Sequence, residues 1–220
     1  QRISYQPAPA GAPRRGRRGR RAEAAPVLSD DEDLTLLIQM ECAHSGEAVL
    51  SAAHDVLAHL NQETTVAALI LAAKHVPDGA GAEHVTRSPH FAAIVKHLRR
   101  FVPHLKTPRM LSRFAWTLGK FEAQGSDVEA IIMHVCCAAP RILQSFKPQD
   151  LTTTLWGAAR LHAGAQPATR AAIVSLAHEI VGHCSSQVES FTAQCLSNSM
   201  WAAARLRLEG AHVDDFFAHC

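Results

Sequence analysis

An eleven-residue motif that recurs along the chain constrains its fold more than any other feature of the sequence. In each copy a leucine precedes a tryptophan by five residues, and a cation and a large apolar residue follow the tryptophan at four and five residues. All three tryptophans of the protein occupy this position, and a fainter copy without tryptophan runs from Thr65 to His75. A period of about 20–50 residues predicts a solenoid or a similar array of repeats. The shared position recurs at intervals of 46, 40 and 45 residues, at Ile70, Trp116, Trp156 and Trp201.

The length and composition allow a sizeable helical core. The chain has 220 residues, of which 47% are hydrophobic and only 5% are aromatic. Alanine is abundant, and small residues with high helix propensity let helices approach one another closely. No apolar segment approaches the roughly 20 uncharged residues that a membrane-spanning helix needs, so we expect no membrane span.

Helical periodicity continues almost without interruption after residue 29, and no segment alternates as a half-buried strand does. Glycine and proline clusters separate the helical blocks. Each unit would contain a helix A with the tryptophan motif and a longer amphipathic helix B. The sequence therefore predicts an all-α fold, an α-solenoid of stacked helix pairs with about four repeats of 40–46 residues, over residues 29–220. The expected blocks are 33–43, 46–60, 63–75, 88–105, 108–121, 126–146, 148–162, 167–184, 191–206 and 211–219.

Residues 1–28 form a separate region with a different composition. Residues 1–28 contain seven arginines and one acid, a net charge of +6. Residues 29–220 contain 15 cations and 19 acids, a net charge of −4. Proline, glycine and like charges exclude a packed core, so we expect an extended basic arm. Two interpretations stay open, an arginine-rich tail that neutralises RNA phosphates and the remnant of an organellar transit peptide. The candidate RNA-binding residues of the arm are Arg14, Arg15, Arg17, Arg18, Arg20 and Arg21.

Two faces of the motif helix differ in chemistry. In the middle copy, the apolar face from Leu151 to Ala159 predicts the buried stripe. Trp156 flanks this stripe, which predicts that the tryptophans pack as core between adjacent helix pairs. The opposite stripe begins with small or polar residues and ends with a cation, as in Arg113, Thr117 and Lys120; Thr153, Gly157 and Arg160; and Asn198, Ala202 and Arg205.

The cations of this opposite stripe would form a ladder on one surface of the solenoid. They would contact RNA, with one helix per repeat, or they would stand where a cation is favourable near a helix C-terminus, and both interpretations stay open. The candidate RNA-binding cations of the repeats are Arg113, Lys120, Arg160 and Arg205.

The segment from Pro148 to Leu161 has the pattern Pro-x-x-Leu-x-x-x-Leu-Trp-x-x-Ala-x-Leu. This pattern resembles the octotricopeptide repeat family and the related helical repeats of RAP-domain and FAST-kinase-like proteins. The resemblance is good over residues 105–220 and weak over residues 30–104. It implies a paired-helix α-solenoid of an organelle with a role in RNA processing, stability or translation, or inside a divergent mitochondrial ribosome.

No motif in the sequence predicts catalysis or a metal site. His178 and His183 are five residues apart, which turns them about 140° from each other on a helix, whereas the zinc motif HExxH keeps both histidines on one face. Gly-rich phosphate loops and nucleophile-elbow motifs do not occur in the sequence. We therefore expect no enzyme, metal, cofactor or small-molecule substrate. The six cysteines have no regular spacing, which favours free thiols in a reducing compartment.

These patterns favour a non-catalytic, RNA-associated repeat protein of a mitochondrion or, alternatively, a plastid. The preferred hypothesis is a structural component of an organellar ribosome, with rRNA along the arm and RNA or neighbouring proteins against the solenoid. The alternatives are a protein–protein scaffold in another organellar complex and a trans-acting factor for one organellar transcript.

Overall fold

A computed structural model describes residues 30–77 and 82–219, and all regular secondary structure in these ranges is helical. The helices stack as an α-solenoid, as the sequence predicts. Layer A contains α1 (Asp30–Glu41), α3 (Gln62–Lys74), α6 (Pro108–Lys120), α8 (Pro148–Leu161) and α10 (Ala193–Leu206). Layer B contains α2 (Gly46–Asp55), α5 (Pro89–Leu98), α7 (Ser126–Ala138), α9 (Pro167–Ser185) and α11 (Ala211–His219). A single short turn of helix, α4 (Glu83–Thr86), lies between α3 and α5.

Each helix packs on the helix at the same place in the next unit. In layer A the neighbours are α1 with α3, α3 with α6, α6 with α8 and α8 with α10; in layer B they are α2 with α5, α5 with α7, α7 with α9 and α9 with α11. The described part of the chain thus holds five helix pairs rather than the expected four. The additional pair, α1 and α2, lacks the motif, so only its packing identifies it as a repeat.

The motif helices begin at residues that favour the first turn of a helix, either as a capping side chain or as a proline. Thr107 and Thr192 accept hydrogen bonds from backbone N–H groups three residues later, at 3.4 and 3.2 Å, and Asn61 does the same for α3 at 3.0 Å. Such side chains satisfy N–H groups that have no partner in the first helical turn. Pro108 and Pro148 stand at the first position of their helices, where proline needs no N–H partner, and both helices begin at the first residue of the predicted block.

Three of the B helices, α2, α5 and α7, are shorter than predicted, whereas α9 and α11 match their predicted blocks to within one residue. The blocks expected over 88–105 and 126–146 each change from an α-helix to a 3₁₀ helix, at Arg99–His104 and Ala139–Ser145. Both 3₁₀ segments contain a proline, which removes a backbone donor and cannot sit in the interior of an α-helix. Only α9 is longer than its motif partner, so the prediction of a uniformly longer helix B was wrong.

The core lies between the two layers and continues through all five pairs. Leu151, Leu155, Ala158 and Ala159 are all at most 3% exposed, which confirms the predicted buried stripe of the motif. In the described part of the chain, no helix is both long and apolar enough to cross a membrane. The arm, residues 1–28, lies outside the described residues.

Five of the cysteines are described, and all five are free thiols, as expected. Cys136, Cys184 and Cys195 are buried, whereas Cys42 and Cys137 are exposed. Burial, with a smaller effect of the adjacent Cys137, raises the pKa of the Cys136 thiol to about 12. Cys136 is therefore protonated near neutral pH, and a protonated thiol is a poor nucleophile.

These cysteine environments predict a simple labelling pattern. In a Cys220→Ser variant, two thiols should react rapidly with a chromogenic disulfide reagent at pH 8, and three should react only after denaturation, because the thiolate is the reacting form. A Cys137→Ser substitution in the same background should leave one rapid thiol. Rapid reaction of three or more thiols in the folded protein would contradict this assignment of buried and exposed cysteines.

Candidate nucleic-acid interface

The four motif helices present one solvent-facing stripe along layer A. Residues at i, i+4, i+7 and i+11 share a face of a helix, and in all four helices these positions are exposed or half-buried. We call this surface the ladder face. It consists of Glu63, Ala67, Ile70 and Lys74 in α3; Arg109, Arg113, Trp116 and Lys120 in α6; Gln149, Thr153, Trp156 and Arg160 in α8; and Gln194, Asn198, Trp201 and Arg205 in α10.

The three tryptophans lie on this face and are buried to different degrees. Trp116 and Trp156 are half-buried, and Trp201 is 40% exposed. The prediction that the tryptophans pack as core was therefore wrong for Trp201 and only partly right for Trp116, which packs against the core, and for Trp156. The Trp156 ring does contact the next repeat, as predicted, through Trp201.

The predicted polar stripe is corrected in the same way. Thr117, Gly157 and Ala202 were expected on the exposed stripe between the cations, but all three are buried. A β-carbon on Gly157 would lie 2.2 Å from the carbonyl oxygen of Ala115 in α6, so the helix backbones touch at this point. Each motif helix is therefore rotated so that its small residues face the neighbouring helix. This rotation brings the adjacent tryptophan towards the surface.

The aromatic rings and the cations of the ladder face are in contact. The guanidinium carbon of Arg160 lies 5.2 Å from the centre of the Trp156 ring, and that of Arg205 lies 5.5 Å from the Trp201 ring. The two tryptophan rings are 6.2 Å apart and tilted by 33°. Cations within about 6 Å of an aromatic face are attracted by the ring. The result is a continuous row of rings and guanidinium groups across α8 and α10.

Arg160 also connects two repeats. Its Nε donates to the carbonyl of Gly119 at the end of α6 (3.3 Å), and its Nη2 forms a 2.7 Å salt bridge with Glu122. The side chain is 20% exposed. This cation therefore stabilises the C-terminus of the preceding helix rather than of its own, and less of its charge is available to a ligand than for Arg205.

Of the other predicted cations, only Arg205 is clearly more accessible than Arg160. Arg205 is exposed, and among the described residues it has no carboxylate partner, whereas Arg113 and Lys120 are half-buried. Arg113 lines a shallow pocket with Ala67 and Ile70, which joins the α3 and α6 parts of the ladder face.

The ladder face is positively charged although the folded body is negative. Its sixteen positions contain six cations and one acid, a charge of +5, while residues 29–220 together carry −4. Two of these cations, Lys74 and Arg160, pair with Glu41 and Glu122 at the edge of the face. Beside this face, the pKa of His162 lies below its usual value because the ring is partly buried and because Arg170 and Arg205 are near. A positive surface on a negative protein is a local feature that attracts anions.

Amide and hydroxyl groups complete the ladder face. Gln149 Nε2 donates to Thr153 Oγ1 at 3.4 Å in α8, and Gln194 Nε2 donates to Asn198 Oδ1 at 3.2 Å in α10. The two pairs occupy equivalent positions in successive repeats. They provide donors and acceptors of the kind that bind base edges and ribose hydroxyls.

The sequence contained a signal for this face that the stripe prediction missed. A tryptophan and a cation four residues later must share a helix face, and every full copy of the motif has this pair. Arg109, Gln149 and Gln194 were not predicted, although they lie seven residues before the tryptophans and therefore on the same face.

A pair of histidines in contact lies outside the ladder face. His178 Nδ1 and His212 Nε2 form a 2.9 Å hydrogen bond between α9 and α11. No group of three or more His, Cys, Asp or Glu side chains that could hold a metal ion is found among the described residues. The six arginines predicted to bind RNA in the arm, from Arg14 to Arg21, lie outside the described residues.

Comparison with known proteins gives no match, either to a protein-family model or to a curated protein. The resemblance to octotricopeptide repeats therefore stays a prediction from the motif, and the function rests on the chemistry of the ladder face.

Proposed function

We propose that this protein is a non-catalytic RNA-associated helical repeat protein that binds single-stranded RNA across the ladder face. The observation that supports this most strongly is the row of tryptophans and arginines along α8 and α10. Proteins that bind single strands combine a positive groove with aromatic side chains on which bases stack. In a duplex the base faces are already stacked, so this row selects unpaired nucleotides.

The arm contributes a second, non-specific part of the affinity. Its six clustered arginines neutralise phosphates and release counterions, which makes binding strongly dependent on salt. The ladder face then orients the strand through stacking and hydrogen bonds. The four described motif helices contact a short stretch of RNA, which suits a component of an organellar ribonucleoprotein such as a mitochondrial ribosome.

Intrinsic fluorescence gives a direct test, because all three tryptophans lie on the ladder face. Addition of a short single-stranded RNA should quench the tryptophan emission as bases stack on the indole rings, and a duplex of the same sequence should quench it far less. Binding by the arm alone would change the anisotropy of a labelled RNA without quenching tryptophan, and that result would contradict the proposed face.

Substitutions separate the two parts of the affinity. Trp156→Leu retains an apolar contact but removes the aromatic face, and we expect about tenfold weaker binding because base stacking contributes about 1–3 kcal/mol per base.

Changing the six arm arginines to glutamine should reduce the salt dependence of binding. The slope of log affinity against log salt concentration should fall by about 0.7 per lost phosphate contact. Arg205→Gln should weaken binding, and Arg141→Gln, which removes the same charge from an exposed residue outside the ladder face, should not.

A further inference from the structure

A cluster of basic side chains lies beside the ladder face, where α8, α9 and α10 meet. His162 follows the last turn of α8, Arg170 lies near the N-terminus of α9, and Arg205 lies in the last turn of α10. The helix α10 packs against both α8 and α9. We call these three residues the cation corner. Both arginines are exposed, and the imidazole is half-buried.

The preceding repeat has an acid where the cation corner has its histidine. Arg160 and Arg205 are equivalent, because each follows a tryptophan by four residues, and Arg160 forms its 2.7 Å salt bridge with Glu122. Glu122 lies six residues after the tryptophan of its own motif, and His162 lies six residues after Trp156. The repeat pattern therefore puts a histidine at the place from which Arg205 would receive a carboxylate partner.

The charge near the start of helix B is inverted in the same way. Arg170 is the fourth residue of α9, and the fourth residue of α7 is Glu129. Near the N-terminus of a helix an acid is favourable and a cation is unfavourable, because the helix dipole is positive there. The stability of α9 therefore does not account for Arg170.

Backbone hydrogen bonds hold the side chain of Arg170 in this corner. Its Nε donates to the carbonyl oxygen of Ala165 at 2.7 Å, and the N–H of Ala165 donates to the carbonyl oxygen of His162 at 3.4 Å. Arg170 thus lies beside the turn that carries the imidazole. The lowered pKa of His162, caused by partial burial and then by Arg170 and Arg205, agrees with two guanidinium groups near the ring.

No carboxylate of the described residues neutralises the cation corner. Its three side chains form no salt bridge within residues 30–77 and 82–219. The C-termini of α8 and α10 each contribute about half a negative charge, which leaves the two arginines in excess. Like charges held close together repel one another unless an anion binds between them.

We propose that the cation corner binds one phosphate of the RNA strand whose bases stack on the ladder face. This site rests on the proposed function and extends it with His162 and Arg170, which lie outside the ladder face. Arg205 connects the two surfaces, since its guanidinium carbon lies 5.5 Å from the centre of the Trp201 ring. A phosphate between the two arginines accepts charge-assisted hydrogen bonds from both. The nucleotide on Trp201 is then held at its base and at a neighbouring phosphate.

Arg170→Gln tests the site in a full-length protein whose six arm arginines are already glutamine, so that the arm does not mask a single contact. A short single-stranded RNA should still quench the tryptophan emission. The slope of log affinity against log salt concentration should fall by about 0.7, which corresponds to about fivefold weaker binding per tenfold change in salt. Arg141→Gln removes the same charge from an exposed residue outside the corner and should change neither value. An unchanged affinity and slope for Arg170→Gln overturns the phosphate site, whereas RNA that quenches no variant overturns the proposed function itself.

Neutral linkages in the RNA test whether the contact is with a phosphate. Each phosphodiester of the short RNA is replaced in turn by an uncharged methylphosphonate. At least one replacement should weaken binding to the arm variant by about fivefold and leave binding to its Arg170→Gln derivative unaffected. Equal losses in the two proteins at every position contradict the assignment.

His162→Glu recreates the arrangement of the preceding repeat. The new carboxylate should pair with Arg205 as Glu122 pairs with Arg160, and it should repel a phosphate. We expect RNA binding to weaken at least as much as in Arg170→Gln, with a melting temperature no lower than that of the wild type. His162→Gln, which has a similar size and no charge, should weaken binding less. A His162→Glu protein that binds RNA as the wild type does would contradict the site.

Discussion

Replacing Gly157 with alanine is expected to destabilise the protein by about 3 kcal/mol, although the same substitution stabilises most helices. The added β-carbon would lie 2.2 Å from the carbonyl oxygen and 2.3 Å from the carbonyl carbon of Ala115. Both are backbone atoms of α6, so no side chain can rotate away, and α6 and α8 must move apart. Separation of the helices also opens the core between them, which adds the cost of lost packing. Urea denaturation followed by the helical circular dichroism signal would measure the loss.

Gly182 provides the matched control for Gly157. It lies in the interior of α9, is exposed, and a β-carbon there would meet nothing closer than the His212 ring at 3.8 Å. Gly182→Ala should therefore stabilise the protein by about 0.5–1 kcal/mol, because alanine has the higher helix propensity. Equal shifts for the two variants would show that the backbone contact between α6 and α8 is absent in solution.

Replacing Phe121 with alanine is expected to cost about 3–5 kcal/mol, the usual range for a fully buried phenylalanine. Phe121 is 2% exposed and meets Phe91 edge to face, with ring centres 5.0 Å apart. The pair joins α5 to the end of α6, where the units without tryptophan meet the units with the full motif. Loss of this contact should lower the melting temperature and weaken the cooperation between the two halves of the solenoid, since each repeat is stabilised by its neighbours.

Phe217 is the control for Phe121. It is 37% exposed, so Phe217→Ala should change the free energy of unfolding by about 0.5 kcal/mol or less. Differential scanning calorimetry would compare both variants, and it would also show whether Phe121→Ala splits the single transition into two. A Phe121→Ala protein as stable as Phe217→Ala would contradict the contact between the Phe91 and Phe121 rings.

Motif spacing was sufficient to predict the architecture of this protein. Leucine, tryptophan, cation and apolar residue recur at fixed positions, and an amphipathic helix that repeats can bury its apolar face only against copies of itself. The starts of α6 and α8 could also be predicted, because Thr107, Pro108 and Pro148 act through their own backbone and near neighbours. The pair α1 and α2 could not be identified as a repeat, since stacking alone relates it to the others.

The candidate site was predicted less well than the fold. Arg113, Lys120, Arg160 and Arg205 all lie at exposed or half-buried positions of the ladder face, because helical periodicity determines which residues share a face. That they bind RNA stays a prediction. The environments of these four cations differ because of residues in neighbouring repeats, which the periodicity of one helix cannot predict. Arg160 binds the carbonyl of Gly119 and the carboxylate of Glu122, which belong to the preceding unit, so its role depends on how two repeats are placed.

The sequence by itself determined that the chain is a stack of helix pairs and which residues recur at equivalent positions. Only the tertiary structure decided how far each motif helix is rotated against its neighbours. That rotation is set by the closest contact between α6 and α8, where Gly157 meets the backbone of α6. Neither the periodicity nor the helix propensity of a single helix predicts this contact. Because the smallest residue must lie beneath the neighbouring helix, the tryptophan beside it is brought to the surface.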